Sequence, residues 1–256
     1  MSGARAVVTG GASGIGAAVV SRLRSRRAAV AVLDLVPPPD GAADLTVSCD
    51  IADEHAVDAG MKEVRDTLGG IDVAVLNAGV GGFGPLLDMP LEDWDRVMAV
   101  NLRGTYLCLR AVGRLMVDAG RGGSVVAVTS VSGFLADRMM SHYSVSKAAV
   151  AQLVRVAARE LGPFGIRVNA VAPGTTDTPL LASTGRLPGY RERVAERAAL
   201  GGVGTPSGVA EAVEALLTLD WVTGQVLAAD GGVSLWSPID PAESLEGGAV
   251  RTPRSG

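Results

Sequence analysis

Tyr143 and Lys147 stand four residues apart in Tyr143-Ser144-Val145-Ser146-Lys147. On a helix that spacing puts both side chains on one face, with Cβ atoms about 5–6 Å apart. A phenol titrates near ~10 and exchanges protons poorly at neutral pH unless nearby positive charge stabilises the phenolate. Lys147 carries such a charge at the right distance. Taken alone, the pair fits any amphipathic surface helix, so its chemistry depends on what other elements bring to it.

A glycine turn supplies the second signal. Val7-Val8-Thr9 enters Gly10-Gly11-Ala12-Ser13-Gly14-Ile15-Gly16, and the helix-like Ala17-Ala18-Val19-Val20 follows. Strand, glycine turn and helix in that order let backbone approach a pyrophosphate while unpaired N–H groups at the helix start face its charge. The spacing is G-x-x-x-G-x-G. An ordinary tight turn would account for the glycines alone, but not for their place between strand and helix. Asp34, ending Ala31-Val32-Leu33-Asp34, stands where a carboxylate accepts hydrogen bonds from the adenosine ribose and repels a 2′-phosphate. That favours NAD over NADP, and the uncharged Ser13 and Leu35 offer the phosphate no cation. A strand-end aspartate capping its own backbone is the alternative.

Strand-length apolar runs alternate with longer stretches of helical period, the pattern of β-α-β units in a parallel sheet. Strands are expected at about 4–9, 28–34, 45–49, 71–76, 123–130, 166–171 and 225–229, and helices at about 14–26, 54–68, 91–119, 141–162 and 207–217. Ala28 to Leu33 and Ser124 to Val128 are almost wholly apolar, as strands covered on both faces are. The expected fold is therefore α/β, a three-layer, Rossmann-type, doubly wound parallel sheet of about seven strands. Pro37-Pro38-Pro39-Asp40-Gly41 leaves no room for a crossover helix after the second strand. Residues 179–205, with two short helical patches among glycines, have the composition of a lid. One domain over 1–236 is expected, followed by a tail, 237–256, either disordered or laid on a neighbouring subunit.

The 256 residues carry a net charge of −4 with scattered Lys and Arg, which argues against nucleic acid and anionic membranes and for a small diffusible substrate. No apolar stretch approaches the roughly 18 residues of a membrane span. Cys49 and Cys108 lack metal-ligand or Cys-x-x-Cys spacing, so no metal is expected, and a reducing, cytoplasmic setting is.

With these motifs in order, the chain resembles the short-chain dehydrogenase/reductase family in its compact single-domain branch. The resemblance runs from the first strand to about Trp236. It is carried by Thr9 to Gly16, Asn77-Ala78-Gly79, Asn101 in Val100-Asn101-Leu102, Ser130 thirteen residues before Tyr143, the Tyr143/Lys147 pair, and Pro173-Gly174. It implies a catalytic tetrad. Tyr143 would be general acid or base, Lys147 would lower its pKa and bind the nicotinamide ribose, Ser130 would polarise the substrate oxygen, and Asn101 would hold a water linked to Lys147. Ser132 is a rival for the serine role, but the spacing favours Ser130. The resemblance also implies cofactor contacts from Gly10, Ser13, Gly14, Ile15, Gly16, Asp34, Leu35, Asp50, Ile51, Asn77, Ala78, Gly79, Pro173, Gly174, Thr176 and Thr178, besides Tyr143 and Lys147. Asp50 as a helix cap and Asn77 as a pin between strands are alternative readings.

Substrate-facing positions by the same analogy are Phe83, Ser132, Phe134 and Met140, with Val80, Gly81, Gly82, Gly133 and Met139 nearby and the lid from Leu180 to about Gly202. Their apolar character points to a medium-sized secondary alcohol or ketone. Arg186, Arg191, Arg193 and Arg197 read as a solvated helix face, with an acidic substrate as the other possibility. His142 reads as a pocket or surface histidine. The broad apolar surface of the helix near 141–162 and the family habit imply a homotetramer, with a dimer as runner-up. Two rivals stand beside the NAD-dependent oxidoreductase: an NADPH-dependent ketoacyl-type reductase, opposed by Asp34, and a catalytically idle dinucleotide sensor, opposed by the intact Ser130, Tyr143 and Lys147.

Overall fold

In the computed structural model, which describes residues 1–184 and 189–237, seven strands form one parallel sheet. They are β1 (Arg5–Thr9), β2 (Ala29–Asp34), β3 (Leu45–Ser48), β4 (Val73–Leu76), β5 (Gly123–Val128), β6 (Ile166–Pro173) and β7 (Val226–Ala229), in the order β3-β2-β1-β4-β5-β6-β7. The order reverses at β1, so the crossovers turn to opposite faces there and leave a crevice beyond the carboxyl ends of the strands. Register aligns those ends: Thr9 lies beside Leu33 and Leu76, and Val128 beside Val171.

Alternation along each strand sorts the apolar residues into two cores. On one face Val7, Leu33, Ala74, Leu76, Val125 and Ala127 pack with α2 (Glu54–Leu68), α4 (Thr105–Ala119) and α5 (Ser141–Leu161). On the other, Val8, Val30, Val32, Val75, Val126 and Val171 pack with α1 (Gly14–Ser25) and α8 (Pro206–Thr218). The three expected layers are present. Glu214 of α8 forms salt bridges with Arg22 and Arg26, so the two helices over that face also meet through charge at their outer edge.

Several boundaries differ from the sequence reading. The expected helix over 91–119 is interrupted: α3 (Leu91–Met98) passes into a π-helical segment, Ala99–Gly104, before α4 begins. Such a segment admits an extra residue per turn and commonly sits at functional positions. β5 stops at Val128 rather than at 130, because Ser130 caps the 3₁₀ turn Val131–Gly133 by accepting from the Ser132 N–H. The β2–β3 connection carries no helix, as the three prolines require. Two short helices, α6 (Pro179–Thr184) and α7 (Tyr190–Arg197), occupy the expected lid region, while residues 185–188, with Arg186, and the tail from 238 lie outside the described residues.

Gly16 fixes how closely α1 approaches β1. A Cβ there would sit 2.0 Å from the Gly10 carbonyl oxygen and 2.5 Å from Asn77 Nδ2, so only glycine closes the turn. Gly16→Ala should lower folding stability by about 1–3 kcal/mol, the usual cost of an overpacked site. Urea denaturation would register this as a lower midpoint at unchanged slope.

Candidate active site

One cleft of about 700 Å³ opens over the carboxyl ends of the strands. Its walls include all the residues expected to touch cofactor except Gly16, which lies behind the turn and makes the packing contact described above. At one end, Ser13 stands before α1 without a side-chain cap, and the first turn holds no acidic residue. Those N–H groups and the positive end of the helix dipole are thus available to an anion. This is the chemistry a dinucleotide pyrophosphate needs.

Asn77 holds the turn in shape, donating from Nδ2 to the carbonyls of Gly10 (2.8 Å) and Thr9 (3.2 Å). The pinning role foreseen as an alternative is real. Asp34 likewise caps backbone, accepting from the Ala12 N–H at 3.0 Å and the Val36 N–H at 3.1 Å. Each carboxylate oxygen has two lone pairs, so both bonds leave acceptor capacity for a ribose. Local capping and ribose recognition are therefore compatible at one residue. Asp50 is not the cap of α2; Asp53 takes that place, accepting from the His55 and Ala56 N–H groups, while Asp50 accepts from Ala52 at 2.9 Å and lines the cleft. On the far wall, Thr176 donates to the Gly174 carbonyl at 3.0 Å and Thr178 to the Thr176 carbonyl at 3.3 Å, shaping the strand-to-helix loop.

Tyr143 and Lys147 lie in the first two turns of α5 and both face the cleft. Lys147 is buried, its Nζ donating to the Val128 carbonyl at 3.0 Å and lying 5.7 Å from the Tyr143 ring centroid. Burial lowers its pKa to about 8. For Tyr143, loss of solvent raises the pKa, a hydrogen bond with Ser130 opposes this, and the charge of Asp137 adds to the rise. Ser130 accepts the Ser132 N–H at 3.1 Å, which leaves its own proton for another acceptor. Ser132 instead gives its proton to the Asp137 carboxylate at 2.7 Å. That geometry separates the two serines and agrees with Ser130 as the polarising one.

Asn101 lies behind the cleft wall, fully buried in the π-helical segment. Its side chain accepts the Val80 N–H at 2.8 Å, donates to the Val80 carbonyl at 2.9 Å, and donates to Ser146 Oγ at 3.1 Å. Ser146 in turn donates to the Tyr143 carbonyl at 2.7 Å. Asn101 therefore ties the loop after β4 to the helix bearing the tyrosine. Gly79 lies close to both Asn101 and Lys147: a Cβ there would be 3.1 Å from Asn101 Oδ1 and 3.3 Å from Lys147 Nζ.

Of the expected substrate residues, Phe83, Ser132 and Met140 line the cleft. Phe134 does not; it is 55% exposed, and Leu135 and Ala136 take the wall beside it. His142 is neither a pocket nor a surface residue but is buried, with Nδ1 lacking a hydrogen-bond partner among the described residues and Nε2 3.1 Å from where a Gly82 Cβ would be. Burial lowers its pKa, with Asp93 opposing and Arg96 adding to the shift. Asp137, Tyr190 and Trp236 also line the cleft. Asp137 was within reach of the sequence, being in the same loop as Met140, but Tyr190 and Trp236 arrive there only through the fold. Among the described residues no His, Cys, Asp and Glu cluster suits a metal, and no helix is long and apolar enough to cross a membrane.

Because Lys147 titrates lower when folded than when unfolded, the unfolded chain binds more protons between pH 8 and 10.5, and stability should rise with pH across that window. Lys147→Met keeps the length of the side chain and removes the buried charge. Thermal unfolding of the cofactor-free variant should show a higher midpoint than the parent below pH 8, an advantage that shrinks between pH 8 and 10.5.

A family model described as Enoyl-(Acyl carrier protein) reductase matches residues 10–234. The cis-4-hydroxycyclohexanecarboxylate dehydrogenase of Sinomonas cyclohexanicum is 41% identical over 240 residues, covering 89% of this chain and 95% of the relative. The mitochondrial (-)-isopiperitenol/(-)-carveol dehydrogenase of Mentha piperita is 39% identical over 250 residues, covering 91% and 94%. The crystal structure of a short-chain type dehydrogenase/reductase from Mycobacterium marinum superposes with a TM-score of 0.86 at 34% identity, covering 91% of this chain and 96% of that one. With its sheet order, its glycine turn and its Tyr143/Lys147 pair, the chain belongs to the short-chain dehydrogenase/reductase family, oxidoreductases that use nicotinamide dinucleotides on CH–OH groups.

Proposed function

We propose that this chain is an NAD-dependent oxidoreductase for a medium-sized, mainly apolar secondary alcohol or its ketone, with Tyr143 as the general acid/base. The observation that carries this reading is a single cleft with the uncapped start of α1 and Asp34 at one end and Ser130, Tyr143 and Lys147 at the other. The dinucleotide supplies hydride transfer at its nicotinamide C4. The protein supplies position and protons. Ser130 donates to the substrate oxygen, Tyr143 takes or gives the proton on that oxygen, and Lys147 favours the phenolate and binds the nicotinamide ribose.

Asn101 contributes by holding the Val80 loop and α5 at a fixed separation, and the water it would hold links to Lys147. The glycine turn, Asp34, Asp50 and Ile51 hold the adenosine half, while Asn77, Ala78, Gly79, Thr176 and Thr178 hold the rest. Phe83, Leu135, Met140, Leu180 and Val194 make the substrate wall mainly apolar. Relatives named for hydroxycyclohexanecarboxylate and carveol, both alcohols on six-membered rings, support that size and character.

Against the ketoacyl-type NADPH reductase, the carboxylate of Asp34 opposes a 2′-phosphate. The protein is proposed to work in the cytoplasm as one domain through about Trp236, assembled as a homotetramer. Tyr106, Val145 and Val156, apolar and about 45% exposed on α4 and α5, support an interface on those helices.

Tyr143→Phe should cut NAD-linked turnover of a secondary-alcohol panel by about 10²–10⁴-fold, the range general acid–base catalysis contributes. Circular dichroism should stay unchanged and NAD should still bind. Unaltered turnover removes the tyrosine from the mechanism. Asp34→Asn keeps one acceptor oxygen, replaces the other with an amide NH2 and loses the charge, and the ratio of NAD to NADP affinity should fall by about tenfold or more, that is ~1.4 kcal/mol or more. A ratio that does not move shows the discrimination lies elsewhere.

A further inference from the structure

The lid helix α7 carries three arginines, and their surroundings differ. Arg191 is ion-paired with Asp177 at 2.9 Å. Arg193 also has a partner. Arg197, in the last turn, lies with its guanidinium 4.6 Å from the centre of the Trp236 ring, and both residues line the cleft. Among the described residues that guanidinium forms no hydrogen bond and no ion pair. Stacking occupies the flat face of a guanidinium and leaves its N–H fork at the edge, so the donors remain usable while the side chain is held in place.

The wall beside the reacting tyrosine has the opposite sign. Asp137 lines the same cleft, accepts from Ser132, and lies near enough to raise the Tyr143 pKa. Among the described residues Asp137 and Arg197 are not paired with each other. The same cleft is also lined by the apolar Phe83, Leu135 and Met140. Such a cleft orients a bipolar substrate: negative charge is repelled from the tyrosine end and received at the lid.

From this we infer that Arg197, stacked on Trp236, is a specificity residue that receives a carboxylate on the substrate, distal to the carbinol or carbonyl carbon that reacts at Tyr143. The preferred substrate is thus an apolar hydroxy acid or keto acid rather than a neutral alcohol. This rests on the oxidoreductase reading above and narrows it. A planar carboxylate takes two parallel N–H bonds from the guanidinium fork, a geometry that lysine does not reproduce.

The test separates the charge from the reaction. Cyclohexanecarboxylate and cyclohexanecarboxamide, nearly equal in shape, are titrated by calorimetry into the full chain and into Arg197→Gln, with and without NAD. The acid should bind the parent about ten- to a hundredfold more tightly than the amide, as a charge-assisted pair permits. In Arg197→Gln the acid should fall to the level of the amide, while NAD affinity stays as in the parent. Arg197→Lys should recover only part of the difference. Equal binding of acid and amide by the parent overturns the inference, and so does a preference that survives in Arg197→Gln. A matching loss of NAD affinity in Arg197→Gln also overturns it, since the arginine would then serve the coenzyme. The binding ratio needs no turnover, so a chain that prefers the acid yet oxidises no alcohol contradicts the oxidoreductase reading and leaves the anion site standing.

Discussion

A lysine ammonium buried under a strand end, with a backbone carbonyl for its hydrogen bond, is the constraint around which this site is built. Lys147 donates to Val128, the last residue of β5, and faces the ring of Tyr143 one turn earlier on α5. Burying that charge is unfavourable, as its lowered pKa records. The rest of the fold makes it sustainable: β5 ends in register with β6, so the Val128 carbonyl is held at a fixed height. Without a defined strand end, the lysine would withdraw to solvent and leave the phenol as an ordinary buried tyrosine.

The same element does a second task by geometry alone. α5 carries Ser146 between the tyrosine and the lysine, and Ser146 connects the Tyr143 backbone to Asn101. Asn101 then clasps both backbone groups of Val80 in the loop after β4. Three segments distant in sequence are thereby locked at one distance, a wall against which a nicotinamide ring can be held. The opposite wall is made by the loop and short helices after β6, where Thr176 and Thr178 bond to backbone carbonyls of their own loop.

Much of this was legible in the residues. Alternating apolar runs specify strands buried on both faces, and prolines 37–39 specify the missing crossover helix, because both effects are local. The glycine turn was legible because Gly16 admits no side chain. What escaped were consequences of tertiary approach. The π-helical segment at Ala99–Gly104 has ordinary helical composition, and nothing in Ala99-Val100-Asn101 announces that an extra residue is accommodated so that Asn101 can reach Val80. Phe134 was placed in the pocket by family analogy, yet the 3₁₀ turn before it sends it outward. Tyr190 and Trp236 enter the cleft from the lid and the chain's last described turn, distances that no local pattern encodes. Asp34 showed that two readings of one residue can both hold, since a carboxylate has acceptors enough for its own backbone and for a ribose.

The central claim is that Tyr143, held above the usual phenol value by burial in the free chain, becomes acidic when Lys147 and the positive ring of oxidised coenzyme act on it together. Tyrosinate absorbance titrated in the parent and in Tyr143→Phe, with and without saturating NAD, isolates that one phenol by difference. The account predicts a midpoint above ~10 without NAD and a shift to below ~10 with it. A difference titration that stays above that value when NAD is bound would contradict it.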